Sequence, residues 1–235
     1  MSHTVGIRQA QKLKTRQALL DAALRLLEEQ SLSSLGLREV TRAVGVAPAA
    51  FYRHFADLAE LGVALVEETL GSLHGLIGEI LAETGDAELR IERTVDLIAR
   101  HVREQPAHFR FIARERHGGV GRVRAAIATQ LRRFTEEVAE ALARERASAG
   151  WSEADVRMLA GMYVDHMVMT ASAFLEAQET SGASDTGGAG GTGGNTDGLP
   201  VEEDVARAAR DRLRLVSLGR RHWLENDAGR GPRDR

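Results

Sequence analysis

Tyr52, Arg53 and His54 stand together between Phe51 and Phe55, and each carries hydrogen-bond donors that a phosphate oxygen accepts. On a helix the two phenylalanines, four residues apart, turn inward and leave the Tyr-Arg-His edge outside. The chemistry this suggests is anion binding, not bond making. The elements that would hold this edge are two short helices and a tight turn. Leu37, Val40 and Val44 recur at i, i+3 and i+7, one apolar helix face. Gly36 suits the N-cap, with Glu39 three residues on as half of a capping box. Gly45 suits the left-handed residue that ends this helix, and Pro48 suits the first position of the next. A helix pair of this kind, ending in Phe-Tyr-Arg-His-Phe, has the logic of a helix-turn-helix whose second helix lies in the DNA major groove. An ordinary helical corner with a solvated polar edge fits the same spacing.

Charge favours the DNA reading. Residues 1–58 hold 8 Lys and Arg against 5 Asp and Glu, a net +3; the whole chain holds 31 against 34, so the remainder carries −6. A weakly acidic chain with one basic end is attracted to nucleic acid at that end only. Arg8, Lys12, Lys14 and Arg16 lie there, and residues 1–13 read as a basic arm able to reach the minor groove or flanking phosphates. A solvated tail is the alternative.

The 235 residues, 43% hydrophobic, suffice for one medium domain or two small ones. Cysteine is absent, which excludes disulfides, thiolate chemistry and thiolate metal sites. No uninterrupted apolar run approaches the ~18–20 residues that span a bilayer. The first residues are polar and charged, unlike a signal peptide, so a cytoplasmic protein away from membranes is expected. The eight histidines show no metal spacing, and no Gly-x-Ser-x-Gly elbow is present, so no catalytic residue, metal or cofactor is expected.

Helical periodicity dominates, predicting an all-α fold of about nine helices. A first helix over roughly 14–30 buries Leu19, Ala22, Ala23, Leu26 and Leu27, and with the two short helices makes a DNA-binding domain over 14–56. Helices are then expected over about 57–83, 87–105, a short one after Pro106, 122–149, 152–178 and 201–226. Together they form a second, larger helical domain over 57–226, followed by a polar tail, 227–235. Gly62, Gly71, Gly75 and Gly78 interrupt the 57–83 helix, each costing roughly 1 kcal/mol against Ala, and mark a bend or a close contact. Residues 181–198 hold 8 Gly among 18 and read as a flexible insertion.

A basic N-terminus, a helix-turn-helix and a helical remainder resemble the TetR family of one-component repressors. The match runs from Thr15 to Leu61, through KTRQALLDAALRLLEE, LREVTRAVGV, FYRHF and DLAEL. Two positions depart from the family pattern: Ala47 stands where Ser or Thr usually caps the recognition helix, and Leu58 where a phosphate-binding Lys is common. Both departures, with GVAPAAFYRHF and the segment Pro106 to Phe134, look like the FabR/DesT branch, repressors of unsaturated fatty acid synthesis that sense long-chain acyl thioesters. So does the closing aromatic, Trp223. The Gly-rich segment does not belong to that pattern.

The resemblance implies roles residue by residue. Pro48, Ala49 and Ala50 begin the recognition helix and approach base edges, where small apolar side chains can touch a thymine methyl. Arg53 reads a base edge or grips phosphate, Tyr52 and His54 fix register on phosphates, and Arg38 and Thr41 meet the backbone from the preceding helix. The domain over 57–226 is implied to be the effector-binding and dimerisation domain, with the effector pocket around Phe109, Ile112, Arg114, Arg116, Met158, Met162, Tyr163 and Met169. Flexible methionines suit an acyl chain and equally suit a core or dimer face; Arg114 and Arg116 suit coenzyme A phosphates and equally a solvated ion-pair network. The partners implied are a palindromic operator, a second copy of the chain, and a small hydrophobic effector such as long-chain acyl-CoA or acyl carrier protein. A TetR-like repressor of another ligand class, for instance of drug efflux, is the alternative.

Overall fold

The computed structural model describes residues 2–82, 86–145, 148–185 and 201–223, with the side chains of 2–8, 181–185 and 221 left out. Among the described residues there are nine helices and no strand: α1 Ser2–Leu26, α2 Leu37–Val44, α3 Pro48–Phe51, α4 Leu58–Ala82, α5 Ala87–Glu104, α6 Pro106–Glu115, α7 Gly121–Ala143, α8 Glu153–Asp185 and α9 Glu202–Arg221. The all-α expectation is met. The end of residues 181–198 and the 227–235 tail lie outside the described residues.

The chain divides into two compact units. The first comprises residues 1–73 and 107–130, hence α1 to α3, the first part of α4, α6 and the start of α7. Its core is built from Leu19 and Ala23 of α1, Leu27 just beyond it, Val40 of α2, Phe51, Phe55, and Leu61 and Leu65 of α4, all nearly inaccessible. Cooperative burial of this kind, rather than helix propensity, holds helices as short as α2 and α3. The second unit comprises residues 74–106 and 131–235, where α5, α8 and α9 pack on one another. Val95, Ile98, Phe134, Leu159, Phe174 and Leu213 form its interior.

Two helices end earlier than their apolar periodicity suggests, and in both cases a distant arginine supplies the reason. α1 stops at Leu26, not near Gln30. The Arg114 guanidinium donates to the carbonyls of Leu27 (2.6 Å), Gln30 (2.8 Å) and Glu28 (3.2 Å). α7 stops at Ala143, not near Ala149. The buried Arg220 donates to the Leu142 carbonyl (3.1 Å) and to Glu145 (2.7 Å), which also holds Arg90 (2.5 Å). A cation over the last carbonyls satisfies groups that the helix leaves orphaned and suits the negative end of its dipole.

α1 also begins at Ser2 rather than near Lys14, so residues 2–13 of the expected basic arm are helical. Residues 8, 12 and 16 then share one helix face. α8 runs on to Asp185, into the start of the expected insertion. It also corrects the reading of apolar runs. Glu153–Thr180 is long and apolar enough, by length and composition, to cross a membrane. Gly, Ser, Thr and His dilute its pattern, while Asp165 is the one charged residue between Met158 and Leu175; counting uninterrupted apolar residues overlooks such a stretch. Here the helix packs against α5 and α9, and His166 donates to the Ala209 carbonyl at 3.2 Å.

Candidate nucleic-acid interface

Local sequence builds the α2–α3 corner. The Glu39 carboxylate accepts the Gly36 N–H at 2.8 Å, closing the start of α2. Gly45 ends α2 at φ 75°, ψ 29°, and its N–H returns to the Arg42 carbonyl at 3.1 Å. A side chain there would be strained by the left-handed backbone. Ala47 caps α3 with no side-chain hydrogen bond, and Pro48 takes the first helical position.

α3 is shorter than expected. It ends at Phe51, and Tyr52, Arg53 and His54 form a turn closed by the His54 and Phe55 N–H groups on the Phe51 carbonyl, at 2.9 and 3.0 Å. Phe51 and Phe55 are buried with ring centroids 5.5 Å apart, as their spacing predicts. Tyr52 lies edge-on to Phe51 and is 62% exposed, with Arg53 exposed beside it.

The Arg16 guanidinium lies 4.5 Å over the Phe55 ring, a cation–π contact that fastens α1 to this turn. Lys12, Arg16 and Arg53 all act electrostatically on His54. Burial first, and then these three cations, hold its imidazole below the ordinary histidine pKa, so it is neutral at pH 7. Its Nδ1 is buried without a hydrogen-bond partner. The structure thus gathers Lys12, Arg16, Tyr52, Arg53 and His54 into one cationic, donor-rich surface. Pro48, Ala49 and Arg38 are exposed and Ala50 half-buried, while Arg8 lies on the α1 segment whose side chains are not described.

Two of the expected residues sit elsewhere. Thr41 is buried, and its hydroxyl donates to the carbonyls of Leu37 (3.1 Å) and Arg38 (3.3 Å) within α2, so it cannot meet DNA. Lys14 lines a groove of about 590 Å³ between α1 and α4, with Arg16, Gln17, Ala64, Glu67 and Glu68.

The expected effector residues divide between the units. Phe109, Ile112, Arg114 and Arg116 belong to the first; Met158, Met162, Tyr163 and Met169 belong to the second. Phe109 and Ile112 are buried. Arg114 is not held for a ligand phosphate, because backbone carbonyls at the end of α1 occupy its guanidinium. Beside it Glu115 is 1% exposed; its Oε1 accepts the Leu32 N–H at 2.9 Å, and its Oε2 has no hydrogen-bond partner. A Cβ on Gly118 would stand 2.2 Å from that oxygen, which only glycine avoids. Met158, Met162 and Met169 are 46 to 63% exposed, so within one chain they line no interior. Tyr163 is half-buried against Leu142, Val156, Leu159 and Ala160, and burial pushes its phenol up. Sequence reading missed Arg122, which reaches a partner 65 residues away; no local pattern announces such a pairing.

Residues 19–65 match the family model of the bacterial regulatory proteins of the tetR family. Solved structures share the fold over most of the chain. A TetR-family transcriptional regulator from Syntrophomonas wolfei aligns over 88% of this chain and 96% of its own at 14% identity, TM-score 0.68. NalD, the secondary repressor of the MexAB-OprM multidrug efflux pump in Pseudomonas aeruginosa, aligns over 88% and 97% at 17% identity, TM-score 0.64. The transcriptional regulator FadR from Bacillus subtilis, solved with stearoyl-CoA, aligns over 85% and 96% at 15% identity, TM-score 0.61. The helix-turn-helix is therefore of the tetR type, and the fold is that of TetR-family transcriptional regulators.

Proposed function

We propose that this chain is a homodimeric, one-component transcriptional repressor whose grip on a palindromic operator is set by a small hydrophobic effector, and that it works in the cytoplasm. The observation that carries the reading is the cluster of Lys12, Arg16, Tyr52, Arg53 and His54 on a tetR-type helix-turn-helix. In this reading Tyr52, Arg53 and His54 bond phosphates and fix register. Ala49 and Ala50 touch base edges by apolar contact only, so affinity rests more on backbone charge than on direct readout.

A palindrome needs two copies with recognition helices about 34–36 Å apart. The face for a second copy is proposed on α8 and α9. Met158, Met162 and Met169 on α8, and Leu215 (71% exposed) and Leu218 (56%) on α9, leave large apolar side chains exposed on both helices, and exposed apolar patches mark interaction sites. Pairing these helices with their symmetry mates gives a four-helix interface. Effector binding then favours one spacing of the recognition helices over another, and operator affinity changes by the coupling free energy.

For the effector we propose a long-chain acyl thioester. The resemblance of Pro106–Phe134 to the fatty acid branch supports it, as does a shared fold with a regulator solved with stearoyl-CoA. A drug-efflux role is the second reading, and the shared fold with NalD favours it. Fluorescence anisotropy on the promoter DNA of the chain's own gene, with saturated and unsaturated acyl-CoA at two salt concentrations, separates them. The lipid reading expects tight, salt-sensitive binding that shifts with acyl chain length. Binding indifferent to acyl-CoA but altered by cationic drugs would replace it with the efflux reading.

A further inference from the structure

We propose that the first turn of α7, centred on Arg122, makes a second cationic contact with the operator backbone beside the Tyr52–His54 turn; this rests on the DNA-binding reading above. Arg122 Nη1 donates to both carboxylate oxygens of Asp57, at 2.8 and 3.1 Å. Asp57 is three residues beyond His54, hence at most about 10 Å along the chain from it. Both side chains of the pair are more than half exposed, 58% and 53%, so the pair belongs to the surface and not to the core.

The position of this turn is fixed. Val123 is fully buried and sits so close to α4 that a Cβ on Gly62 would stand 2.8 Å from its Cγ2. Arg124 donates to the Gly118 carbonyl, which folds the preceding loop back on the helix start. Arg122 is therefore carried by a rigid backbone next to the recognition turn, within the same compact unit.

Charge supplies the partner. Residues 116–124, RHGGVGRVR, contain Arg116, Arg122 and Arg124 and no acid. The head of α4 is the opposite. Asp57 accepts the Glu60 N–H at 2.7 Å and Glu60 accepts the Ala56 N–H at 2.5 Å, while the intervening Leu58 offers no charge. Two carboxylates at that place repel a phosphate. Arg122 offsets one of them. With five donors in a planar fork and only Nη1 on Asp57, it presents further N–H groups to a phosphate oxygen. The surface gathered by Lys12, Arg16, Arg53 and His54 thus continues, across a neutralised aspartate, onto α7.

The test is operator binding by anisotropy across a salt series for the wild type, R122A, R122K, D57N and D57N/R122A, with thermal unfolding of each. R122A should bind more weakly, with a log–log salt slope shallower by about 0.9 per protomer, and R122K should keep the slope. D57N/R122A should retain the shallow slope, because its loss is that of a phosphate contact. Recovery of wild-type affinity and slope in D57N/R122A would overturn the proposal and leave Arg122 as a neutraliser of Asp57. So would R122A that melts early yet binds with the wild-type slope. A wild type that binds no promoter DNA sinks the repressor reading itself, whereas tight wild-type binding with an unaffected R122A sinks only this inference.

Discussion

In the proposed repressor, His54 joins folding to DNA binding with opposite signs. Burial and the cations Lys12, Arg16 and Arg53 lower its pKa below 6.5 in the folded chain, so the unfolded chain takes up the proton first as pH falls. Stability from this group is therefore present above about pH 6.5 and is lost as pH drops through the folded value. A phosphate beside the imidazole favours the charged form, so the DNA complex binds that proton more readily than free protein does. Operator affinity should rise between pH 7.5 and 5.5 relative to H54Q, while melting temperature falls more steeply than in H54Q over the same range. Parallel pH profiles for the two proteins in the anisotropy titration would remove His54 from the interface. This cluster was only partly legible in the sequence. Phe51, Phe55, Gly45 and Pro48 announce the corner because their constraints are local. The burial of Thr41 was hidden, since a hydroxyl that bonds within its own helix looks, in one dimension, like one turned outward.

At the scale of elements, α4 separates two kinds of glycine that composition cannot distinguish. A Cβ on Gly62 would meet Leu32 Cδ2 at 2.5 Å and Val123 Cγ2 at 2.8 Å, whereas Cβ atoms on Gly71, Gly75 and Gly78 meet nothing within 4 Å. G62A should therefore lower the melting temperature by overpacking, at roughly 1–3 kcal/mol. G71A, G75A and G78A should each raise it, by up to about 1 kcal/mol, through helix propensity alone. Thermal unfolding of the four variants decides it, and a stabilised G62A would refute the close contact. Helix number and most boundaries were visible in apolar periodicity. The early ends of α1 and α7 were not, because Arg114 and Arg220 act over more than 70 residues of chain. Periodicity states which face is buried and says nothing of what comes to cover it.

At the scale of the molecule, the second unit leaves α8 and α9 with apolar side chains in water, and only 33% of the apolar stretch of α8 is buried within one chain. Replacing Leu215 and Leu218 together by Glu should convert a dimer at micromolar concentration into monomer, with helicity retained and operator binding lost. Sedimentation equilibrium reads the mass directly, and a dimer that persists would move the interface elsewhere. The distribution of cations carries a separate consequence. Of the 31 basic residues only Lys12 and Lys14 are lysines, and both stand exposed on α1, one beside His54 and the other over the α1–α4 groove. Guanidinium groups resist acylation where amines accept it. Lysine acetylation, or any amine-selective label, therefore has side-chain targets on that one helix alone. It would discharge the end of the protein proposed to face DNA and leave the arginine-built remainder chemically untouched.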